Sequence, residues 1–253
     1  VREVTLYAAL IPLSFLLAGA TFFALFFINA PYGRHIRQGW GLLVSKRLGW
    51  LVMEAPSAMI FAALFLLGSA PRNLTAFAFL GMWEAHYLHR AFIYPFRITD
   101  GRRMMPVLIP IMGFVFNAGN AYINGRYLFS LSEGYALNWL ADSRFITGLA
   151  LFIIGYVSNR WADQTLLRLR TFGETGYKIP YGGLFEWVSC PNYLGEIIEW
   201  SGWAIATWSL PGLSFAVWTI ANLAPRARAH HAWYKARFPD YPKERKALIP
   251  GIW

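Results

Sequence analysis

From Leu6 to Asn29 the chain carries no charged side chain, and an apolar stretch of that length reaches across roughly 30 Å of hydrocarbon when it is helical. Lipid offers backbone amides no partners, so a segment that crosses it must bond to itself, as a helix does. The run is longer than a signal-peptide core and no small-residue cleavage site follows it, so it is read as a permanent span. Similar runs recur. A second span begins near Trp50, holds Glu54 and continues through the uncharged stretch Ala55 to Pro71; a third covers about Asn73 to Tyr94 and contains "EAHYLHR". Met104 to Gly125 and Phe145 to about Arg170 supply the fourth and fifth, the latter leaving the bilayer as a polar extension from Asn159. The last apolar region, about Asn192 to Pro225, is too long for one crossing, and "SLPG" at Ser209 to Gly212 marks a turn that divides it into spans six and seven. The expectation is an all-α integral membrane protein with seven transmembrane helices.

Composition agrees: 57% of residues are hydrophobic and 14% charged, against about 45–50% and 25% in soluble domains. The net charge of +10 does not form one solvated patch, which argues against nucleic acid and for a membrane surface and a small anionic ligand. Basic residues gather on one side of the expected spans: Arg34, Arg37, Lys46 and Arg47; Arg97, Arg102 and Arg103; Arg160, Arg168, Arg170 and Lys178; and the tail after Pro225. The other side has Arg2, Arg72, Arg126 and Arg144. The positive-inside rule then puts the N-terminus outside and the C-terminus in the cytoplasm. Cytoplasmic loops at about 30–48, 95–103 and 160–190 and a tail at 226–253 would face the cytosol, whether the membrane is bacterial inner membrane or endoplasmic reticulum. Cys190 is the single cysteine, which excludes an intramolecular disulfide and a cysteine-rich metal site. No repeat or linker divides residues 1–253, which are read as one domain with no obligate protein partner.

A carboxylate in mid-membrane costs roughly 2.5–3.5 kcal/mol on insertion scales, so intramembrane charge points to a partner, a cavity or a ligand. "PNYLGEIIEW", residues 191 to 200, carries two glutamates and an asparagine in one of the most apolar reaches of the chain. Helical spacing of three, four and seven aligns Asn192, Glu196 and Glu199; Tyr87, Arg90 and Tyr94, flanked by His86 and His89; Asn159, Asp163 and Arg170; and His230 with Tyr234. Taken singly, Trp50 and Tyr94 fit an interfacial aromatic belt, and an Arg90–Glu196 ion pair would account for two charges. Polar stripes on at least three helices, biased to the cytoplasmic half, instead describe a lined ligand cavity. Two histidines three apart do not make a metal site, and no GxSxG, HExxH or Walker A pattern is present; "YGGLF" is a lone glycine pair. A buried acid kept protonated beside a phenol can donate hydrogen bonds to a carbonyl oxygen and stabilise charge developing there. Glu54 and Tyr87 are the candidates.

Four segments, in order and at matching spacing, resemble the steroid 5α-reductase family: "MEAPS" from Met53, "HYLHRAFIY" from His86, "GGLFEWVSCPNYLGEIIEWSGWAIATWSLP" from Gly182 and "YPKERKALIPGIW" from Tyr241. The resemblance implies a seven-helix enzyme that reduces the C4–C5 double bond of a 3-oxo-Δ4-steroid with NADPH, hydride going to C5 and a proton to C4. It implies that Glu54 and Tyr87 bind the ketone, and that Asn192 and Glu196 hold the nicotinamide end, with Trp50 nearby. Arg90, Tyr94, Arg103, Asn159, Asp163, Arg170, Tyr177, His230 and Tyr234 match positions around the ribose, pyrophosphate and adenosine. "YGRH" at Tyr32 to His35 resembles a segment of the first cytoplasmic loop. Met112 departs from the arginine usual beside the steroid in animal members, and "FRITDG" lies in a loop two residues longer than theirs. A membrane methyltransferase using S-adenosylmethionine, of the isoprenylcysteine or phospholipid type, bears a related Asn-Tyr-x-Gly-Glu-like segment. A sterol Δ14-reductase and a non-catalytic lipid-binding protein complete the alternatives.

Overall fold

The computed structural model describes residues 2–28, 41–98, 103–169 and 176–253. Long helices dominate these residues: α1 (Arg2–Phe27), α2 (Lys46–Leu67), α3 (Leu74–Leu88), α5 (Leu108–Arg126), α6 (Ser143–Arg168), α7 (Pro191–Thr207) and α8 (Leu210–Arg237). After α3 the helix widens into a π turn (His89–Ile93) and returns to α geometry in the short α4 (Tyr94–Arg97); a second π turn (Tyr127–Leu131) follows α5. Among the described residues, Glu3–Phe27, Lys46–Leu67 and Ser143–Arg168 are long and apolar enough to cross a membrane by length and composition. The α7 helix stops at 17 residues and α3 at 15 before its π turn.

Local chemistry sets the boundaries. Ser45 and Asn73 cap α2 and α3 by accepting hydrogen bonds from the amides of Leu48 and Ala76. The turn expected at Ser209 to Gly212 separates α7 from α8: Trp208 takes a left-handed conformation at φ 43°, and the Ser209 hydroxyl caps α8 through the Gly212 amide at 3.1 Å. One expected boundary is corrected. Met104–Pro106 does not begin a span; it forms β2, antiparallel to β1 (Leu43–Ser45), with Met105 opposite Val44. Lys46 N–H bonds to Arg103 O at 2.7 Å, so the approach to α2 supplies partners that a helix start at 104 would leave unused. Past Pro225 the chain stays helical, since α8 continues to Arg237 and carries His230 and Tyr234 at the helical spacing expected of them. Proline there removes one backbone bond while small buried neighbours, Ala221, Ala224 and Ala227, keep the rod packed.

The chain divides into two compact units, one comprising Val1–Ile11 and Pro31–Ile146, the other Pro12–Ala30 and Thr147–Trp253. In the first, the stacked pair Phe61 and Trp83 (4.3 Å between centroids, 7° between planes) sits at the centre of the α2–α3 contact, with Phe129 edge-on to Phe61. Trp83 also donates from Nε1 to the Ser57 carbonyl at 3.1 Å, so its polar edge is satisfied inside an apolar core. In the second, α7 packs on α8 through Trp200 and Phe215, whose rings lie 4.2 Å apart. The C-terminal segment is tied to the loop before α7: Ser189 and Cys190 amides bond to the Lys246 and Ala247 carbonyls, and the Lys246 amide to Trp187 O. That loop turns at Gly182 and Gly183, with φ of 89° and 51°, values at which a side chain would be strained.

Candidate functional site

In the first unit α2 presents Trp50 and Glu54 one turn apart, on the face toward which Arg90 points. The π turn at residues 89–93 precedes Pro95, which lacks the amide a regular turn would need, and the Tyr94 amide bonds to His89 O. Such widened turns are frequent at functional sites. Here the turn carries Arg90, whose guanidinium carbon lies 4.5 Å from the Trp50 ring centroid and 4.9 Å from that of Tyr94. These two rings meet edge to face at 5.2 Å. The same guanidinium approaches Glu54 Oε1 with Nε at 3.9 Å, the outer limit of an ion pair. Arg47 Nε donates to Pro95 O at 3.3 Å, tying α4 to the start of α2.

Tyr87 is buried below this cluster, its ring 5.1 Å from Trp83 and 4.9 Å from His86. Its hydroxyl donates to Asn117 Oδ1 at 3.4 Å, while Asn117 Nδ2 donates to Glu54 Oε2 at 3.3 Å. Glu54 and Tyr87, on α2 and α3, are therefore joined through a residue of α5 to which sequence reasoning gave no role. A signal existed: Asn117, Asn120 and Asn124 fall at spacings of three and four in an otherwise apolar helix, and all three are buried. Arg103 is exposed ahead of β2, and Met112 is exposed on α5.

In the second unit a glycine ladder brings α6 and α7 into backbone contact. Gly148 and Gly155 are seven apart on α6, as are Gly195 and Gly202 on α7. A Cβ built on Gly195 would lie 2.5 Å from Asn159 N and 2.8 Å from Gly155 O; one on Gly202 would lie 2.6 Å from Gly148 O. Small residues permit such approach between apolar helices. It sets Asn159 beside α7, where its Nδ2 donates to Asn192 O at 2.9 Å and to Glu196 Oε2 at 3.3 Å. Asn192 Nδ2 in turn donates to Asp163 Oδ1 at 3.1 Å. Asn159, Asp163, Asn192 and Glu196 thus form one half-dry cluster, and the amide of Asn159 meets part of the cost of placing Glu196 on an apolar helix. Glu199 is fully buried, its backbone against Gly155.

The remaining expected residues group around α8. His230 Nε2 lies 3.1 Å from the Tyr193 hydroxyl, which also accepts from Arg226 Nη2 at 3.0 Å. Tyr234 is buried and stacked on Tyr241, with centroids 5.2 Å apart and planes at 11°. Tyr177 meets Trp233 edge-on at 4.9 Å, and Trp233 meets Tyr234 at 5.4 Å. Arg170, Arg102 and the segment Tyr32 to His35 lie outside the described residues. Sequence reasoning also passed over a lock behind this cluster. Ser189 Oγ lies 2.6 Å from both His231 Nδ1 and the Tyr241 hydroxyl and donates to Lys246 O at 3.0 Å. With its one proton so used, Ser189 accepts from the other two. Burial, then the charges of Lys235, Arg245 and Lys246, hold the His231 pKa below its usual value, which favours the neutral ring, in its Nδ1–H tautomer as donor to Ser189.

Apolar helices that carry buried acid, phenol and amide groups and half-buried guanidinium groups define a helical membrane protein with polar clusters set into its rods. A family model described as 3-oxo-5-alpha-steroid 4-dehydrogenase matches residues 103–253. The chain is 44% identical over 243 residues to steroid 5-alpha-reductase DET2 of Gossypium hirsutum, covering 94% of each chain. It is 43% identical over 226 residues to 3-oxo-5-alpha-steroid 4-dehydrogenase 1 of Homo sapiens (88% of this chain, 86% of the relative), and 43% over 229 residues to the Bos taurus protein of that name (89% and 88%). The chain belongs to the steroid 5-alpha-reductase family, a family of oxidoreductases.

Proposed function

We propose that this protein reduces the C4–C5 double bond of a 3-oxo-Δ4-steroid, or of a lipid-like enone of similar shape, with NADPH. The observation that carries the reading is the half-buried acid of Glu54 and the buried phenol of Tyr87, held on α2 and α3 and joined through Asn117. The names of the relatives support the substrate class. When bound, the reduced cofactor supplies the hydride that C5 accepts. Glu54 and Tyr87 hydrogen-bond to the C3 oxygen, where negative charge grows as C5 is reduced, and their directed donors in a dry site stabilise that charge more than water does. C4 then takes a proton.

Each unit carries groups of the kind that a dinucleotide needs. A guanidinium stacked on two rings, Arg90 with Trp50 and Tyr94, suits phosphate recognition, and the Asn159, Asp163, Asn192 and Glu196 cluster offers both donors and acceptors for amide and ribose groups. Arg103, Arg170, Tyr177, His230 and Tyr234 would hold the rest. Topologically, α1, α2, α3 with α4, α5, α6, α7 and α8 supply the seven spans of the reading. The N-terminus lies outside and the basic loops face the cytosol, where the cofactor is available, while the substrate arrives from the bilayer.

The deciding experiment incubates detergent-solubilised protein with hydride-deuterated NADPH and a panel of enones, followed by mass and NMR analysis of the product. Deuterium at C5 of a saturated 3-ketone is expected. Absence of reduced product with every enone, together with thermal stabilisation by S-adenosylmethionine and not by NADPH, would replace this reading with a methyltransferase.

A further inference from the structure

Asn117 uses every hydrogen-bonding position of its side-chain amide. Nδ2 donates to the Met53 carbonyl at 2.7 Å and to Glu54 Oε2 at 3.3 Å. Oδ1 accepts from the Ser57 hydroxyl at 3.1 Å and from the Tyr87 hydroxyl at 3.4 Å. One amide therefore touches both groups assigned to the ketone and two further groups on α2. Gly113, one turn earlier on α5, leaves room for the Met53 side chain at this contact: a Cβ there would come within 2.5 Å of Met53 Sδ, so α5 lies this close to α2 with Met53 where it stands.

The amide has one workable orientation. Turned over, it would set Oδ1 against the Met53 carbonyl, acceptor facing acceptor at the shortest of the four contacts, and that carbonyl would lose its side-chain donor. With Oδ1 so directed, the single proton of the Tyr87 hydroxyl points at Asn117. A ketone oxygen entering the site takes that proton over. Oδ1 then still accepts from Ser57, so the exchange leaves no buried acceptor unpaired. On the other side, Nδ2 holds one oxygen of Glu54 while Arg90 stands at 3.9 Å from the second. The carboxyl group is thereby held at Oε2 before any ligand arrives, with Arg90 beyond hydrogen-bonding reach of Oε1.

We propose that Asn117, supported by Ser57, is a positioning residue for reduction: its amide sets the spacing and direction of Glu54 and Tyr87 and releases the Tyr87 proton to the substrate ketone. This rests on the assignment of Glu54 and Tyr87 to the ketone made above.

The test uses the full chain in detergent and two readouts. The first is steady-state reduction of a 3-oxo-Δ4-steroid. Asn117→Leu is expected to lower kcat by about 100-fold, the scale of an ångström-size misplacement, while the NADPH requirement stays within about twofold of the parent. Asn117→Asp carries the proposal's own signature. Only a protonated acid can donate to the Met53 carbonyl, so its activity relative to the parent rises as pH falls. The second readout is the infrared carbonyl stretch of a C3-isotope-labelled saturated 3-oxo-5α-steroid, bound without cofactor; the downshift seen in the parent is expected to shrink in Asn117→Leu. If Glu54→Gln and Tyr87→Phe change kcat and the carbonyl stretch but Asn117→Leu changes neither, the positioning role is wrong and the ketone pair stands. If Glu54→Gln and Tyr87→Phe change neither, the ketone assignment itself fails and this inference with it. Should Asn117→Leu not yield folded protein, Ser57→Ala replaces it; a smaller loss of kcat and of the downshift is expected, and parental behaviour in both overturns the proposal.

Discussion

Replacing Gly195 by alanine tests whether the contact of α6 with α7 is what assembles the amide and carboxylate cluster. The new methyl carbon would stand 2.5 Å from Asn159 N and 2.8 Å from Gly155 O. Ordinary contact between such atoms is about 3.5 Å, so the helices must part by roughly 1 Å. Both obstructing atoms are backbone, so no side-chain rotation relieves the clash. The Asn159 side chain moves with its helix. Its 2.9 Å bond to Asn192 O and 3.3 Å bond to Glu196 Oε2 then exceed hydrogen-bonding reach. One lost bond is neutral and one involves a carboxylate, worth together about 2–4 kcal/mol, and overpacking by itself costs about 1–3 kcal/mol. A net destabilisation of about 3–6 kcal/mol is expected once the helix preference for alanine is set against these terms, measured by denaturant titration in mild detergent. NADPH affinity measured by cofactor fluorescence should weaken with it. Gly81→Ala in α3 is the matched control: a Cβ there meets nothing within 4 Å, so it should stabilise by about 0.5–1 kcal/mol through the helix preference for alanine. Gly195→Ala with parental stability and parental NADPH affinity would refute the close-contact argument.

Glu54→Gln and Tyr87→Phe are each expected to lower kcat by about 100- to 1,000-fold, the usual effect of removing a donor aimed at developing charge, with far smaller changes in NADPH dissociation; equal losses in cofactor affinity would move both residues out of the ketone role. Arg90→Leu should weaken NADPH binding and leave the carbonyl stretch of a bound 3-ketone in place, which equilibrium titration and infrared spectroscopy check separately. Stability should also depend on His231. Its pKa is depressed from the ordinary 6.5, so the unfolded chain takes up a proton before the folded one does, and stability present above that value is lost as pH falls through it toward the depressed value. Denaturation midpoints are expected to drop as pH falls below 6.5, and less steeply in His231→Gln; an identical slope in the two proteins would remove His231 from the C-terminal lock.

Much of the fold was legible along the chain because lipid imposes a simple rule: long uncharged runs become helices. The runs at Leu6–Asn29 and Ala55–Pro71, and the turn at Ser209 to Gly212, sit within or beside the helices found there. The helical stripes Asn159 with Asp163 and Asn192 with Glu196 were readable from spacing, since residues three and four apart must share a face. Boundaries set by partners distant in sequence were not. Met104–Pro106 looks as apolar as a helix start and becomes a strand only because Leu43–Ser45 is there to pair with it.

The sequence by itself settled the class of protein and the inventory of intramembrane acid, phenol and amide groups, because the cost of burying charge in lipid makes each such residue conspicuous where it stands. Which of them meet was decided only by the tertiary structure. Asn117 acquires its place from the approach of α5 to α2 at Gly113, and Asn159 reaches Glu196 because glycines bring α6 and α7 into backbone contact. Neither meeting follows from spacing within one helix, since hydrogen bonds form over about 3 Å and the register of one helix against another is fixed by packing.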